Sequence, residues 1–372
     1  MVLGVVVVSI EVICKYSIKS NKNEQKKNNN SPIKFRAPYK SGKYHIFPTP
    51  NILNIYNEES YESTVRYINS LDSIIKNKYK NVIISFVDCE YIKAAAMMIF
   101  YAKIETILKK SDVNISIKMS LNNEINKFIK QVGLIFLCAN RCSENDIRKT
   151  KDGYPIINGN EGEFRDDIID FIKNEIYQGV LTDEEEYTLS DAIQEAMSNV
   201  YRHAYPKHTP SNQRPWWWMC TVVDDQLFLL LYDKGQGIPS TFTKGNKLFD
   251  KIDWDSSDVK SVITPTLKQY KLPESTNIAE LIKNTKVSDS IIISLAMSDD
   301  ITRMTGNDKY KHGQGSKSIK KLVSDNKNGK LWVYSNRGLL FYQDDRTLPE
   351  LYNMRNSIEG TLVQWNIRIK ND

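Results

Sequence analysis

The segment TLSDAIQEAMSNVYRHAY, from Thr188 to Tyr205, predicts the central helix of this protein. Its apolar residues recur at helical spacing and form one stripe: Leu189, Ile193, Ala196 and Val200. Three polar residues four apart form a second stripe, roughly a quarter-turn away: Glu195, Asn199 and His203. The pattern predicts a carboxylate, an amide and an imidazole at the edge of the core. Considered alone, such a stripe is also typical of a solvated helix face.

Clear local signals flank this helix on both sides. Thr182, followed three residues later by Glu185, has the form of a capping box. Downstream, Pro215–Val223 and Gln226–Asp233 are apolar runs joined across two aspartates, which predicts a hairpin. The second strand continues into the turn Asp233-Lys234-Gly235-Gln236-Gly237. Glycines in such a turn let the backbone approach a ligand where a side chain would block it.

The next part of the chain is predicted to be a lid and a phosphate-binding helix. Residues 240–311 form a long polar insertion with one predicted helix, Ser288–Met304, and segments of this kind are usually lids or disordered loops. The glycines of HGQGS, residues 312–316, open a second predicted helix, Ser316–Ser324. Free N–H groups and the positive dipole end at such a helix start suit phosphate. Predicted strands follow at 330–335, 338–343 and 360–368.

Length and composition are those of a globular protein with room for two domains. The chain has 372 residues, of which 41% are hydrophobic and 26% are charged. The formal net charge of +6 is small for this length and gives no clear indication of nucleic-acid binding. Five cysteines without a framework spacing favour a reducing compartment, so we expect the protein to be cytoplasmic.

Residues 1–43 are predicted to be an apolar start followed by a low-complexity linker. Met1–Cys14 is almost entirely apolar, but it is shorter than the roughly 20 residues that a membrane span needs. Ser20–Ser31 is a polar, asparagine- and lysine-rich stretch that cannot offset the entropy of ordering. We therefore do not predict a membrane span here. A β-rich segment and a marginal membrane association are the two alternatives.

Residues 44–140 are predicted to be a small α/β domain. Strands and helices alternate there, which implies right-handed crossovers and a largely parallel or mixed sheet. The first helix has a predicted buried face of Val65, Ile68, Leu71 and Ile75. The predicted elements are helix 58–78, strand 81–87, helix 94–109, strand 113–119 and helix 122–132. A polar, glycine-rich stretch, residues 141–163, is the predicted linker to the second domain.

The α/β pattern of residues 44–140 resembles the STAS domain, the small module of sulfate transporters and anti-sigma-factor antagonists. The resemblance rests on topology and hydrophobic pattern. In the partner-switching members a Ser or Thr at the start of the second helix accepts phosphate, whereas this chain has Lys93-Ala94-Ala95-Ala96 there. The resemblance therefore implies a docking or sensing module that lacks the phospho-switch. An unrelated small α/β domain is the alternative.

Four candidate motifs follow one another along the second half of the chain: EAMSNVYRHAY from Glu195, DKGQGIP from Asp233, HGQGS from His312 and GTLVQW from Gly360. This order resembles the GHKL ATPase family of gyrase, heat-shock chaperones and histidine kinases, over about residues 165–368. The first stretch is most similar to the anti-sigma-factor serine kinases. The resemblance implies an α/β two-layer sandwich of the Bergerat type, with a lid, over residues 164–372.

The same resemblance implies a role for each residue at the catalytic and adenine ends of the site. Glu195 would be the general base, and Asn199 would coordinate Mg²⁺. Asp233 would accept a hydrogen bond from the exocyclic amine of adenine. The remaining residues at this end would make room for the base or support it: Gly235, Gly237 and Thr361.

At the phosphate end, Gly313 and Gly315 would wrap the phosphates of ATP, and Lys317 and Lys320 add positive charge nearby. His203 would lie on this side, where a structural role is as compatible with the pattern as a catalytic one. One position departs from the family, because Ser316 stands where Leu commonly follows the second glycine. The survival of the glycines at both turns indicates an active rather than a relic site.

Two functions from different classes remain open. In the first, the γ-phosphate of bound Mg-ATP passes to water or to a protein Ser or Thr. In the second, the protein is a non-catalytic switch of bacterial stress or defence signalling, whose lid exposes or hides a partner surface when ATP binds. Both imply a protein partner or protein substrate, and a homodimer is possible. Autophosphorylation on histidine is not expected, because no histidine lies on a coiled-coil pattern before residue 165.

Overall fold

The computed structural model describes residues 35–143, 155–160, 166–223, 225–244, 264, 268, 287–297, 315–326, 328–343 and 349–369. The fold is mixed α/β. The described residues divide into two compact units. One holds the residues up to Asn158 together with Trp217–Phe228, and the other holds Gly159–Trp216 and the residues from Leu229 onward.

Among its described residues, the first unit is built on a four-stranded sheet with three parallel strands. Its elements, in chain order, are strands β1 (Tyr39–Ser41), β2 (Tyr44–Pro48) and β3 (Ile52–Leu53), helices α1 (Glu58–Ser70) and α2 (Asp72–Lys76), strands β4 (Asn81–Ser85) and β5 (Tyr91–Ile92), helix α3 (Ala94–Lys110), strand β6 (Asn114–Lys118), and helices α4 (Asn123–Gln131) and α5 (Leu134–Asn140). The sheet order is β1-β2-β4-β6. Strands β2, β4 and β6 are parallel, and β1 is antiparallel to β2. The predicted parallel or mixed sheet is confirmed.

Helix α3 is the buried centre of this unit. Its residues are apolar on all sides over most of its length, and Met97, Met98, Phe100 and Ile104 are fully buried. A buried carboxylate also lies on it: Glu105 is 0% exposed. The Glu105 carboxylate accepts hydrogen bonds from Trp217 Nε1 at 2.5 Å and from the Asn158 amide, and it pairs with Lys109 at 2.8 Å. These donors offset the cost of burying the charge.

The elements predicted for residues 44–140 are present in the structure with altered bounds, but strands β2, β3 and β5 were not predicted. The predicted helix 58–78 is divided at Leu71, so that Ile74 rather than Ile75 is fully buried. The predicted strand 81–87 ends at Ser85. Helix α5 was not predicted, and its left-handed flanking residues, Gly133 and Arg141, set it apart from α4.

In the described part of the chain, the second sheet has seven strands. Its chain segment begins with β7 (Ile157–Asn160), helix α6 (Asp166–Phe171) with a wide π-helical turn at Ile172–Ile176, and helix α7 (Asp183–Asn199) with another at Val200–Ala204. Strands β8 (Pro215–Val223) and β9 (Gln226–Asp233) follow, then helices α8 (Ile238–Lys244), α9 (Asp289–Ala296) and α10 (Gly315–Ser324). Strands β10 (Lys330–Ser335), β11 (Gly338–Tyr342), β12 (Glu350–Asn353) and β13 (Thr361–Arg368) complete it. The sheet order is β12-β11-β10-β13-β9-β8-β7.

Helices pack on the part of this sheet formed by β10 to β13. Helix α9 packs against β11 and β12, and α10 packs against β13 and α7. Trp365 of β13 is fully buried, and its Nε1–H donates to the Ile319 carbonyl oxygen of α10 at 2.9 Å. Strand β10 is antiparallel to both β11 and β13. This antiparallel pairing contrasts with the parallel strands of the first unit.

The predicted hairpin strands, β8 and β9, have the predicted bounds. The predicted linker, residues 141–163, contributes edge strand β7, which sequence reasoning missed. Helix α9 is confirmed from its Ser288 N-cap, but residues 298–304 of the predicted helix lie outside the described residues. Most of the predicted lid, residues 240–311, lies there too, as does the low-complexity linker.

Among the described residues, no helix is both long enough and apolar enough to cross a membrane. Met1–Cys14, the apolar start of the chain, lies outside them.

Candidate functional site

Helix α7 begins with a complete capping box. The Thr182 hydroxyl accepts the Glu185 N–H at 3.3 Å, and the Glu185 carboxylate accepts the Thr182 N–H at 3.0 Å. The predicted apolar stripe is buried, with each of its four side chains 6% exposed or less: Leu189, Ile193, Ala196 and Val200. The capping box and the buried stripe fix both the start and the rotation of the helix.

The three residues of the polar stripe differ in exposure. Glu195 and Asn199 are half-buried on α7, whereas His203 is exposed in the π-helical turn that follows. Asn199 is the last residue of α7, and His203 lies within the π-helical turn that follows it. The alignment of the three groups stays a prediction.

The side chains of Glu195 and Asn199 have few polar contacts. Within the described part of the chain, neither side chain forms a hydrogen bond or an ion pair. Partial burial raises the pKa of Glu195, with Asp191 acting in the same direction and Arg202 opposing them. A carboxylate with a raised pKa is better suited to accept a proton near neutral pH. Both groups thus remain available to a ligand.

The Asp-Gly turn after β9 packs directly on the end of this helix. The Gln236 N–H donates to the Ala204 carbonyl oxygen at 2.7 Å, and the Lys234 N–H donates to the Tyr205 hydroxyl at 3.0 Å. A Cβ atom on Gly235 would lie 2.2 Å from the same Ala204 oxygen. Only glycine allows this approach, so the turn and the helix end are held together by backbone contacts.

Asp233, the first residue of the turn, has a deeply buried carboxyl group that is 4% exposed. It accepts the Gly235 N–H at 2.7 Å and also the peptide N–H of Thr361. Desolvation nevertheless dominates and raises the pKa of Asp233 to about 7. A buried carboxyl group poised near neutral pH is a common mark of a functional site.

Ser335 is a central residue of the site that sequence reasoning missed. Its hydroxyl accepts the Ile238 N–H at 2.8 Å and donates to the Gly360 carbonyl oxygen at 3.1 Å. The Thr361 hydroxyl lies 2.9 Å from the Ser335 hydroxyl. The chain after the Asp-Gly turn is therefore fixed to the ends of β10 and β13. A serine at a strand end carries no distinctive sequence signal.

The glycines of the turn are explained by the protein's own packing. Gly237 has a φ of +82°, and a Cβ there would lie 1.7 Å from Asn336 Oδ1. A Cβ on Gly360 would lie 2.0 Å from the Asp233 carbonyl oxygen. The survival of the glycines around the Asp233 turn therefore does not by itself distinguish an active site from a relic, because the fold requires them.

The predicted phosphate end is only partly described. Gly315 is the first residue of α10, and Lys317 is exposed on that helix. Helix α10 is packed on α7, where Lys321 Nζ donates to the Thr188 hydroxyl at 3.3 Å. Gly313 and His312 lie outside the described residues.

The helix that carries Glu195 and Asn199 is thus joined at its end to the turn that begins at Asp233 and contains Gly235 and Gly237. Thr361 lies beside Asp233. No model of a known protein family matches the chain, and no curated protein matches it as a relative.

Proposed function

We propose that residues 164–372 bind Mg-ATP in the manner of the GHKL ATPases and either hydrolyse it or transfer its γ-phosphate to a protein Ser or Thr. The observation that carries the proposal is the contact between the Asp-Gly turn and the end of α7. The hydrogen bond from the Gln236 N–H to the Ala204 oxygen lies at that contact. It joins the two sequence stretches that this function requires to act on one ligand.

The Asp233 carboxyl group supplies the adenine end. It already accepts two peptide N–H groups, and a carboxylate has room for further hydrogen bonds on its remaining lone pairs. Accepting the exocyclic amine of adenine would add a bond to an ionised, desolvated acceptor, which is stronger than a bond between neutral groups. Thr361 supports this geometry through its N–H, and Ser335 supports Thr361.

Glu195 and Asn199 supply the reactive end. The Asn199 amide oxygen is the donor that would hold Mg²⁺, an ion that prefers oxygen ligands and shares its coordination with phosphates and water. Mg²⁺ neutralises charge on the phosphates when bound. Glu195, one helical turn earlier, would accept the proton of the attacking water or hydroxyl. Its raised pKa suits that task.

Helix α10 is the proposed phosphate-side element. Its first residue is Gly315, and helix starts present unpaired N–H groups to anions. Lys317, exposed in its first turn, adds positive charge at that end. The packing of α10 on α7 supports a shared role for the two helices.

For residues 44–140 we propose a STAS-like docking or sensing module. The residues at the start of α3, where the partner-switching members accept phosphate, are alanines that are at most 6% exposed: Ala94, Ala95 and Ala96. They offer no hydroxyl group for phosphorylation. The phosphoacceptor, if the γ-phosphate passes to a protein, is then on another protein or elsewhere in the chain.

The experiment is to incubate the purified protein with γ-labelled ATP and Mg²⁺ and to compare it with Glu195→Ala. We expect turnover that the substitution abolishes while nucleotide binding persists. Glu184→Ala, an exposed carboxylate in the first turn of the same helix, is the matched control. Labelled protein indicates a kinase, and free phosphate indicates an ATPase. Turnover that Glu195→Ala leaves unchanged would contradict the role of Glu195, and absence of binding would contradict the proposal.

A further inference from the structure

Tyr205, the residue that follows the π-helical turn after α7, lies where three segments of the second unit meet. Its hydroxyl group donates a hydrogen bond at 2.6 Å to the carbonyl oxygen of Pro215, the first residue of β8. The same hydroxyl oxygen accepts the Lys234 N–H of the Asp-Gly turn at 3.0 Å. A phenol has one proton to donate, and Pro215 receives it. Any effect of this hydroxyl on a ligand therefore passes through the groups that it holds.

The Lys234 N–H belongs to the peptide group that follows Asp233. A peptide group is planar, so a hydrogen bond that fixes its N–H also fixes its carbonyl group. That carbonyl oxygen, of Asp233, packs on Gly360, where a Cβ atom would lie 2.0 Å away. The Lys234 side chain is held as well, because its Nζ pairs with Glu359 at 2.7 Å. The backbone that carries the Asp233 carboxyl group is thus fixed on both sides of one peptide plane.

The Asp233 carboxyl group is an electrostatic neighbour of the Tyr205 phenol. Burial raises the pKa of Tyr205, and the charge of Asp233 acts in the same direction. The phenol therefore stays protonated and keeps its proton for Pro215. Loss of the hydroxyl group would leave the Lys234 N–H without this acceptor, which is costly for a partly buried peptide group. That N–H would then compete for the neighbouring Asp233 carboxylate.

The next two peptide N–H groups of the turn are also bonded within the protein. The Gly235 N–H donates to the Asp233 carboxylate at 2.7 Å, and the Gln236 N–H donates to the Ala204 carbonyl oxygen at 2.7 Å. These peptide donors are therefore engaged and not free to bind phosphate. The group of this turn that is suited to a ligand is the Asp233 carboxylate, so its orientation matters most for recognition.

We propose that Tyr205 is a positioning residue of the nucleotide site: it holds the peptide group after Asp233 so that the carboxylate faces the exocyclic amine of the base. This inference rests on the proposed Mg-ATP function. It deepens that function, because recognition of the base then depends on a residue that acts on the ligand only through Asp233. Removal of the Tyr205 hydroxyl should accordingly weaken the binding of nucleotides that carry the amine and spare those that lack it.

The test is calorimetric titration of the full-length wild type and Tyr205→Phe with two nucleotides in the presence of Mg²⁺. One is ATP, and the other is purine riboside triphosphate, which lacks the exocyclic amine. We expect Tyr205→Phe to weaken ATP binding by at least about fivefold and to change the Kd of the amine-free nucleotide by less than about twofold. In an Asp233→Asn background, Tyr205→Phe should weaken ATP binding by less than about twofold, because both residues act on the same hydrogen bond.

Tyr67→Phe is the matched control, because it also removes a tyrosine hydroxyl group that donates to a carbonyl oxygen, that of Phe47 in the first unit. It should leave the Kd of both nucleotides unchanged. Circular dichroism verifies that each variant is folded.

Three binding results would overturn the proposal: full ATP affinity in Tyr205→Phe, equal losses for the two nucleotides, or the full loss persisting in the Asp233→Asn background. Failure of Tyr205→Phe to fold would also overturn it, because the tyrosine would then hold the domain as a whole. Failure of the wild type to bind ATP is a different result, which would contradict the proposed function itself and remove the basis of this inference.

Discussion

The peptide N–H of Gln236 donates a 2.7 Å hydrogen bond to the carbonyl oxygen of Ala204. Ala204 ends the turn that follows Asn199, and Gln236 lies in the turn that follows Asp233. Two motifs more than 30 residues apart in the chain are thereby brought into backbone contact. This junction links the segment of the proposed adenine acceptor to the segment of the proposed metal ligand.

Asp233→Asn is expected to weaken ATP binding by about 1–3 kcal/mol, or roughly 5- to 150-fold in Kd. An amide offers one acceptor atom instead of two, so the Gly235 N–H and the adenine amine would compete for it. Isothermal titration calorimetry with ATP and ADP measures the effect, which should be similar for both nucleotides. Asp225→Asn, in the β8–β9 hairpin turn, is the matched control. Unchanged affinity in Asp233→Asn would contradict the adenine assignment.

The same carboxyl group predicts how stability depends on pH. Its pKa is about 7 in the folded protein and about 3.9 in an unfolded chain, so between these values the folded state holds the extra proton. The free energy of unfolding should therefore fall as pH rises through this window, by at most about 1.4 kcal/mol per pH unit from this group. Asp233→Asn lacks this group. The free energy of unfolding of the variant, minus that of the wild type, should therefore be larger at pH 8 than at pH 5.

Urea denaturation of both proteins across this pH range measures the effect. A stability difference between wild type and Asp233→Asn that does not change with pH would contradict the raised pKa. A second readout is the Kd of Asp233→Asn for ATP divided by the Kd of the wild type, a ratio in which ionisation of the nucleotide cancels. This ratio should decrease when the pH is lowered below 7, because the wild-type carboxylate becomes protonated and loses its advantage.

Much of the structure of residues 164–372 was predictable from local pattern, because its signals are local. The capping box at Thr182 and the strands β8 and β9 depend on residues a few positions apart. The π-helical turn after Asn199, the hydrogen bonds of Ser335 and the edge strand β7 were not predictable. Each arises from packing between segments distant in the chain, which neither periodicity nor propensity records.

Gly360→Ala is expected to destabilise the protein far more than Gly179→Ala. Both glycines have nearly the same positive φ, +72° and +75°, so both substitutions carry the same backbone strain of roughly 1–2 kcal/mol. A Cβ on Gly179 meets nothing within 4 Å, whereas one on Gly360 lies 2.0 Å from the Asp233 carbonyl oxygen. In chemical denaturation, the free energy of unfolding of Gly360→Ala should be lower than that of Gly179→Ala by about 1–3 kcal/mol. Equal losses would contradict the close packing at the Asp233 corner.

Glu195→Gln is expected to reduce turnover by at least about 100-fold, because it removes the proton acceptor while it retains the size of the side chain. The Kd for ATP should change less than about threefold. Glu184→Gln on the same helix is the control. Single-turnover measurement of phosphate release separates chemistry from product release. Parallel losses of binding and turnover would indicate that Glu195 has a structural role instead.

The most direct test of a shared Mg-ATP site is the Mg²⁺ dependence of ATP affinity in wild type, Asn199→Ala and Asp233→Asn. The account predicts that Mg²⁺ strengthens ATP binding in the wild type and that Asn199→Ala removes this gain. Asp233→Asn should weaken binding with and without Mg²⁺ by the same factor. Retention of the full Mg²⁺ gain in Asn199→Ala, or no ATP binding by the wild type, would contradict the account.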